Sequence, residues 1–264
     1  MRYLIILFSL IFISCNYSKK PNQLNNKKTI SKTVEVIQKK LFTKITFPSK
    51  DGLLITADFY EVESNKPMIL LCHQAGFSRG EYRDTAIKLN KLGYSCLAID
   101  QRSGNKANGV INETVLAAKK GNLPTNYLDA RQDIEAAIDF LYHKNNNKPI
   151  ILIGSSYSAT LVLLIGDNSD KVKAIVAFSP GEYYKTIDVK NSIKDIEKPV
   201  FVTSSKKESK ALTELISEIN PKYVTQYIPE EAGIHGSKAL WKTTVGNENY
   251  WKAFTNFLQK NEAV

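Results

Sequence analysis

Short, mostly apolar runs recur along this chain: Pro67 to Cys72, Tyr94 to Ile99, Pro149 to Ile153, Val172 to Phe178 and Pro199 to Val202. Each is too short for a buried helix and reads as a strand covered on both faces. Stretches with helical spacing lie between and after them: Tyr82 to Leu92, Asn126 to Tyr142, Tyr157 to Ile165, Ser209 to Ile219 and Asn247 to Gln259. Phe42 to Phe47 and Leu53 to Tyr60 alternate across the turn Pro48-Ser49-Lys50-Asp51-Gly52 and read as a leading antiparallel hairpin. Tyr223 to Ile228 reads as a last strand, and residues 101–125, rich in Gly and Asn, as irregular chain. Strands alternating with helices predict an α/β fold: a mostly parallel sheet of about eight strands, flanked by helices, in one domain over residues 41–264.

The N-terminus is built differently. Arg2 precedes an apolar run from Tyr3 to Ile13 broken only by Ser9, and Ser14-Cys15 follows. Such a run is too short to span a bilayer and fits a signal-peptide core. A small residue before Cys resembles the lipobox of bacterial lipoproteins, with Phe12 where Leu is commoner. The resemblance implies a leader over 1–14, an acylated Cys15 and a place in the bacterial cell envelope, facing the periplasm or the surface. Plain secretion with a free Cys15 is the alternative. Residues 16–40, with Lys19-Lys20-Pro21 and Asn25-Asn26-Lys27-Lys28, have linker composition.

The formal charge of +10 raises the question of nucleic acid. Arginine is confined to Arg2, Arg79, Arg83, Arg102 and Arg131, and lysine is dispersed along the chain, so the excess reads as a solvated surface. Cys72 and Cys96 both fall in strand-like runs and read as small buried hydrophobes, a disulfide being the alternative. His73, His143 and His235 show no ligand spacing, and no metal or organic cofactor is expected.

The stretch Ile150-Ile-Leu-Ile-Gly154-Ser155-Ser156-Tyr157-Ser158-Ala159 runs from a buried strand through a tight turn into a helix, with Ser156 at the bend. A serine hydroxyl must be exposed, oriented and deprotonated by a neighbour before it attacks anything. A sharp turn projects it above the sheet and demands small residues two positions either side, here Gly154 and Ser158. The helix start also offers the Tyr157 amide to a developing anion.

These residues resemble the nucleophile elbow of α/β-hydrolases, Gly-x-Ser-x-Gly, with Ser158 in place of the last glycine. His73-Gln74-Ala75-Gly76 resembles the family's oxyanion loop and implies Ala75 as second amide donor, with Gln74 replacing the usual glycine. In the family's chain order the catalytic His comes last, which implies that His73 buttresses the loop and that His235, in Gly233-Ile234-His235-Gly236, is the base. The acid position, after the strand ending at Val202, matches Glu208; Glu182, in Ser179-Pro180-Gly181-Glu182, is the competing carboxylate. Asp100, ending the strand Tyr94 to Ile99, is expected to tie a loop.

The resemblance is to the small dienelactone-hydrolase-like or general esterase branch. It implies hydrolysis of a carboxylic ester through an acyl-enzyme on a Ser-Glu-His triad. A peptidase or amidase of the same fold, or a non-catalytic binding lipoprotein, are the alternatives. The roughly twenty residues from Ser179 to Lys198 leave no room for a large cap. Tyr127, Tyr183 and Tyr184 are candidate contacts for a small ester or amide. The expected membrane contact is through the lipid alone.

Overall fold

The computed structural model describes residues 41–262. The expected leader, the acylation expected at Cys15 and the expected linker through residue 40 lie outside the described residues. The strands are β1 (Thr43–Pro48), β2 (Leu54–Tyr60), β3 (Ile69–Cys72), β4 (Cys96–Ile99), β5 (Lys106–Ala107), β6 (Val110–Ile111), β7 (Ile150–Ser155), β8 (Val172–Phe178), β9 (Val200–Thr203) and β10 (Val224–Tyr227). The α-helices are α1 (Arg83–Lys91), α2 (Glu113–Lys120), α3 (Arg131–Lys144), α4 (Tyr157–Gly166), α5 (Val189–Ile193), α6 (Ser209–Leu215) and α7 (Asn247–Lys260).

Among the described residues, eight strands form one sheet in the order β1-β2-β4-β3-β7-β8-β9-β10. β1–β2 and β2–β4 pair antiparallel, and every pairing from β4 to β10 is parallel. The apolar runs behave as their composition requires: successive side chains enter opposite layers. Leu70, Leu152, Ile175 and Val202 pack on one face with Ile134 and Ile138 of α3 and Leu161 of α4. Leu71, Ile151, Val176 and Phe201 pack on the other with Leu89 of α1 and Phe254 and Leu258 of α7. Each such side chain withdrawn from water contributes about 1.5–3 kcal/mol, which is why these runs cannot be solvated loops.

Residues 101–125 are more regular than their composition predicts. β5 and β6 form a small hairpin across Asn108 and Gly109, both at positive φ (47° and 81°), the conformation that Asn-Gly adopts cheaply. α2 then starts at Asn112, whose side chain accepts the Val115 N–H at 2.8 Å, and buries Thr114, Val115 and Ala118. The apolar stripe is too narrow to stand out from sequence, and the cap carries the signal. Helix α3 begins at Arg131, after a 3-10 turn over Leu128–Ala130, rather than at Asn126.

Cys72 and Cys96 are both buried free thiols. The β3–β4 register sets Cys72 beside Ile99 and Cys96 beside Ile69, so the two sulfurs belong to opposite ends of the strand pair. Burial pushes both thiols well above the usual range.

Two buried ion clusters pin the chain around the parallel strand ends. Arg79 binds Asp58, Asp100 and Glu113, and Arg102 binds Asp133 and Asp51. Asp100 also accepts the Arg79 and Glu113 N–H groups, so its carboxylate is consumed in holding loops together. Because β3, β7, β8, β9 and β10 run the same way, the loops that leave their C-terminal ends gather at one edge of the sheet.

Candidate active site

The turn after β7 is sterically determined. A Cβ on Gly154 would lie 2.4 Å from the Ser158 carbonyl oxygen, so strand and helix can cross this closely only with glycine there. Ser156 then takes φ 58° and ψ −124°, a conformation that costs a residue with a Cβ on the order of 1–3 kcal/mol. Its N–H donates to the Phe178 carbonyl of β8 at 2.8 Å, which holds the strained residue in place. The Ser158 hydroxyl accepts the Ser155 N–H at 3.0 Å and lies 2.8 Å and 2.9 Å from the carbonyl oxygens of Cys72 and His73. A serine at this position therefore ties β3 to the elbow, a bond glycine could not make.

Two side chains from later loops meet Ser156. His235 Nε2 is 2.8 Å from Ser156 Oγ, and His235 Nδ1 is 2.7 Å from Glu208 Oε1. A carboxylate can only accept, so the proton of a neutral His235 sits on Nδ1 and leaves Nε2 to accept from the serine hydroxyl. Glu208 closes the 3-10 turn after β9 in a capping box with Ser205. Its second oxygen accepts the Ser205 hydroxyl at 2.7 Å, the Ser205 N–H at 3.1 Å and the Ser179 hydroxyl at 3.2 Å. Partial burial pushes the Glu208 carboxyl up, but hydrogen bonds from His235 and Ser205 outweigh it and hold its pKa at about 2. The group is ionised at neutral pH.

Glu182, the other carboxylate weighed for the acid, is elsewhere. It accepts the Val189 and Lys190 N–H groups at 3.1 and 3.0 Å and caps α5. The structure does not bring it to His235.

Ala75 occupies the second position of a tight turn in which the Phe77 N–H meets the Gln74 carbonyl at 3.2 Å and Gly76 takes φ 73°. That pattern is a type II turn, which requires a positive φ at its third residue. Tyr157 is the first residue of α4, so its N–H has no helical acceptor a turn earlier. The Ala75 loop is braced by His73 and Gln101. Gln101 accepts the His73 N–H at 3.0 Å and donates to the His73 carbonyl at 3.2 Å and to the Tyr157 hydroxyl at 3.2 Å. His73 Nδ1 donates to the Gln74 carbonyl at 2.8 Å, and Nε2 accepts the Gln101 N–H at 3.1 Å. Full burial lowers the His73 pKa to about 4, so the ring is a neutral brace with both nitrogens engaged.

Two serines unmarked by sequence reasoning complete the arrangement. Ser179, at φ 56°, donates to Glu208 and accepts the Gly236 N–H at 2.9 Å, which links Glu208 to the residue after His235. Ser205 holds the free oxygen of Glu208. Sequence offered only the turn chemistry of Ser179-Pro180-Gly181 as a hint. Tyr127 stacks on Tyr157 at 4.6 Å between ring centroids, and the Tyr184 hydroxyl donates to the Tyr157 carbonyl at 2.8 Å. Tyr183 is partly exposed and donates to the Ser179 carbonyl at 2.9 Å. A pocket of about 450 Å³, lined by Tyr183, Pro180, Leu212 and Leu215, opens beside Glu208. Among the described residues no group of three or more His, Cys, Asp or Glu side chains could hold a metal ion.

A family model described as serine aminopeptidase, S33, matches residues 63–237. No curated protein matches by sequence. Among solved structures, an esterase of Pyrococcus furiosus superposes with a TM-score of 0.64 at 18% identity, over 85% of this chain and 94% of that one. A dienelactone hydrolase from Anabaena variabilis gives 0.62 at 13% identity, over 84% and 99%. A dienelactone hydrolase-like promiscuous phosphotriesterase from metagenomic libraries gives 0.57 at 16%, over 84% and 99%. At these identities the likeness is one of fold.

Proposed function

The chain belongs to the serine aminopeptidase S33 family of α/β hydrolases, and from that premise we propose that it is a serine hydrolase that cleaves a carboxylic ester through an acyl-enzyme. The observation that carries the reading is the unbroken chain from Ser156 Oγ through His235 to Glu208, at 2.8 and 2.7 Å. Separations of this size place a general base within reach of the proton it must remove.

His235 Nε2 takes the Ser156 proton as Oγ bonds to the ester carbonyl carbon. The Ala75 and Tyr157 amides donate to the oxyanion that results. Ionised Glu208 keeps the His235 tautomer and stabilises the imidazolium. His235 returns the proton to the departing alcohol, leaving Ser156 acylated. Water then attacks the acyl carbon and gives its proton to Nε2; the acyl–Oγ bond breaks as His235 returns that proton to Ser156, and the acid leaves.

The description of the matching family favours a second reading, release of an N-terminal amino acid by the same acyl transfer. That substrate carries an ammonium group and needs an uncommitted carboxylate near the nucleophile. Of the carboxylates lining the pocket beside the nucleophile, Glu208 is spent on His235, Glu182 on α5 and Glu214 on Lys190, which supports the ester.

A fluorophosphonate probe on the purified protein, followed by mapping of the modified residue, tests the mechanism. Labelling of Ser156 that is lost in His235→Ala is the expected result. A folded protein that resists the probe would sink the reading in favour of a binding protein. p-Nitrophenyl acetate against alanine p-nitroanilide then separates ester from aminopeptide. The sequence around Cys15 supports lipid anchoring in the bacterial cell envelope as a further part of this reading. Incorporation of labelled palmitate that disappears in Cys15→Ala is the expected outcome, and equal incorporation in both would reject it.

A further inference from the structure

Glu81 is a buried carboxylate that the proposed chemistry does not use. It lies in the 3-10 turn Arg79–Tyr82 and is 1% exposed. Its Oε2 accepts the Gln74 N–H at 2.7 Å, and its Oε1 accepts the Ser237 hydroxyl at 2.5 Å. The Ser155 hydroxyl accepts the Ser237 N–H at 2.9 Å and so joins the same cluster. Gln74, Ser155 and Ser237 are themselves buried. The two partners are an amide and a hydroxyl, neither of them charged, so withdrawing this carboxylate from water is costly for the fold.

The members of this cluster share one property. Gln74 precedes Ala75, Ser155 precedes Ser156, and Ser237 follows His235 by two residues. The loops also meet directly: a Cβ on Gly236 would fall 2.5 Å from Gln74 Oε1 and 2.7 Å from Ser155 Oγ. One carboxylate thus binds the loops of Ala75 and His235 directly and reaches the neighbour of Ser156 through Ser237.

We infer that Glu81 is a positioning residue, which locks the Ala75 loop, the elbow and the His235 loop into one register. The assignment rests on the reading of Ser156 as nucleophile. Loss of the lock lets base and amide donors drift relative to Ser156, and a displacement of about 1 Å costs up to roughly a hundredfold in rate.

Glu81→Gln keeps the size and an acceptor for Gln74 but turns an NH₂ toward the Ser237 hydroxyl; Ser237→Ala releases one end alone. In Glu81→Gln, hydrogen exchange over residues 73–77 and 235–241 should speed up together, on the order of tenfold, with the β3 and β7 amides unchanged. Fluorophosphonate labelling of Ser156 and kcat on p-nitrophenyl acetate should each fall on the order of tenfold to a hundredfold, with KM within about twofold. Ser237→Ala should loosen 235–241 only. A folded Glu81→Gln with wild-type exchange and labelling overturns the inference, as does faster exchange spread evenly through the core. If Glu81→Gln does not fold, an unchanged Ser237→Ala overturns it in the same way. Failure of the wild-type protein to label rejects the hydrolase reading separately, and the exchange measurements still decide whether Glu81 couples the loops.

Discussion

Glu208 meets His235 with one carboxylate oxygen, 2.7 Å from Nδ1, while its other oxygen is held by Ser205 and Ser179. A glutamate is longer and freer than an aspartate, and the two serines remove that freedom. Glu208 therefore points one lone pair at the imidazole and cannot swing away. Substitution of Glu208 by Gln should lower kcat by roughly 10³- to 10⁴-fold, because the carboxamide no longer enforces the tautomer or offsets the imidazolium charge. Glu182→Gln should leave kcat within about twofold and cost stability of about 1 kcal/mol at most, as expected for a helix cap. Steady-state hydrolysis of p-nitrophenyl acetate by both variants checks the pair, and the opposite ranking would reassign the acid.

The stability of the same group carries a pH signature. The folded-state pKa of Glu208 is about 2 against an ordinary value of 4.5. A depressed carboxyl stabilises the fold fully above the unfolded value and loses that contribution as pH falls through the folded one. Urea midpoints of the wild type and Glu208→Gln should differ by a constant amount above about pH 5 and converge between about 4.5 and about 2. A gap that persists unchanged across that window would show that Glu208 is not held ionised by His235 and Ser205.

Ser156 is held at φ 58°, where glycine alone is comfortable. Ser156→Gly should stabilise the protein by about 1 kcal/mol by relieving that strain, and it should abolish fluorophosphonate labelling. Ser156→Ala should lose activity by about 10⁴-fold or more with little change in stability. Thermal denaturation of the two variants side by side tests the claim, and equal melting temperatures would argue that the elbow stores no strain.

The Ser158 hydroxyl bridges the elbow to the end of β3. Ser158→Ala removes the side-chain acceptor of the buried Ser155 N–H, while the Cys72 and His73 carbonyls keep Tyr82 and Gln101 as donors, and should cost about 1–3 kcal/mol. Chemical denaturation measures it, and a loss below a few tenths of that figure would mean that water or a backbone shift replaces the bond.

Much of this protein was legible from its residues. Uninterrupted apolar runs such as Ile150 to Ile153 can be solvated nowhere, so their burial on both faces, and hence a helix-covered parallel sheet, followed from composition and length alone. Gly154 and Ser158 around Ser156 announced the turn because close crossing of backbones tolerates only small side chains. The cap at Asn112 and the helix α2 escaped notice because eight residues with three buried positions make too faint a period.

Beyond the triad and oxyanion loop that the family resemblance implied, sequence left open how the distant loops hold one another. Glu208 and Glu182 are both carboxylates after neighbouring strands, and nothing local separates them. Their roles diverge because Ser179 and Ser205 turn Glu208 toward His235, whereas the first N–H groups of α5 capture Glu182. Glu81 gives no signal at all in the chain, since its partners lie at positions 74 and 237. Local chemistry determined the elements and the strained serine; the packing of parallel strands alone decided which side chains share an edge, because only there do residues far apart in sequence come within hydrogen-bonding distance.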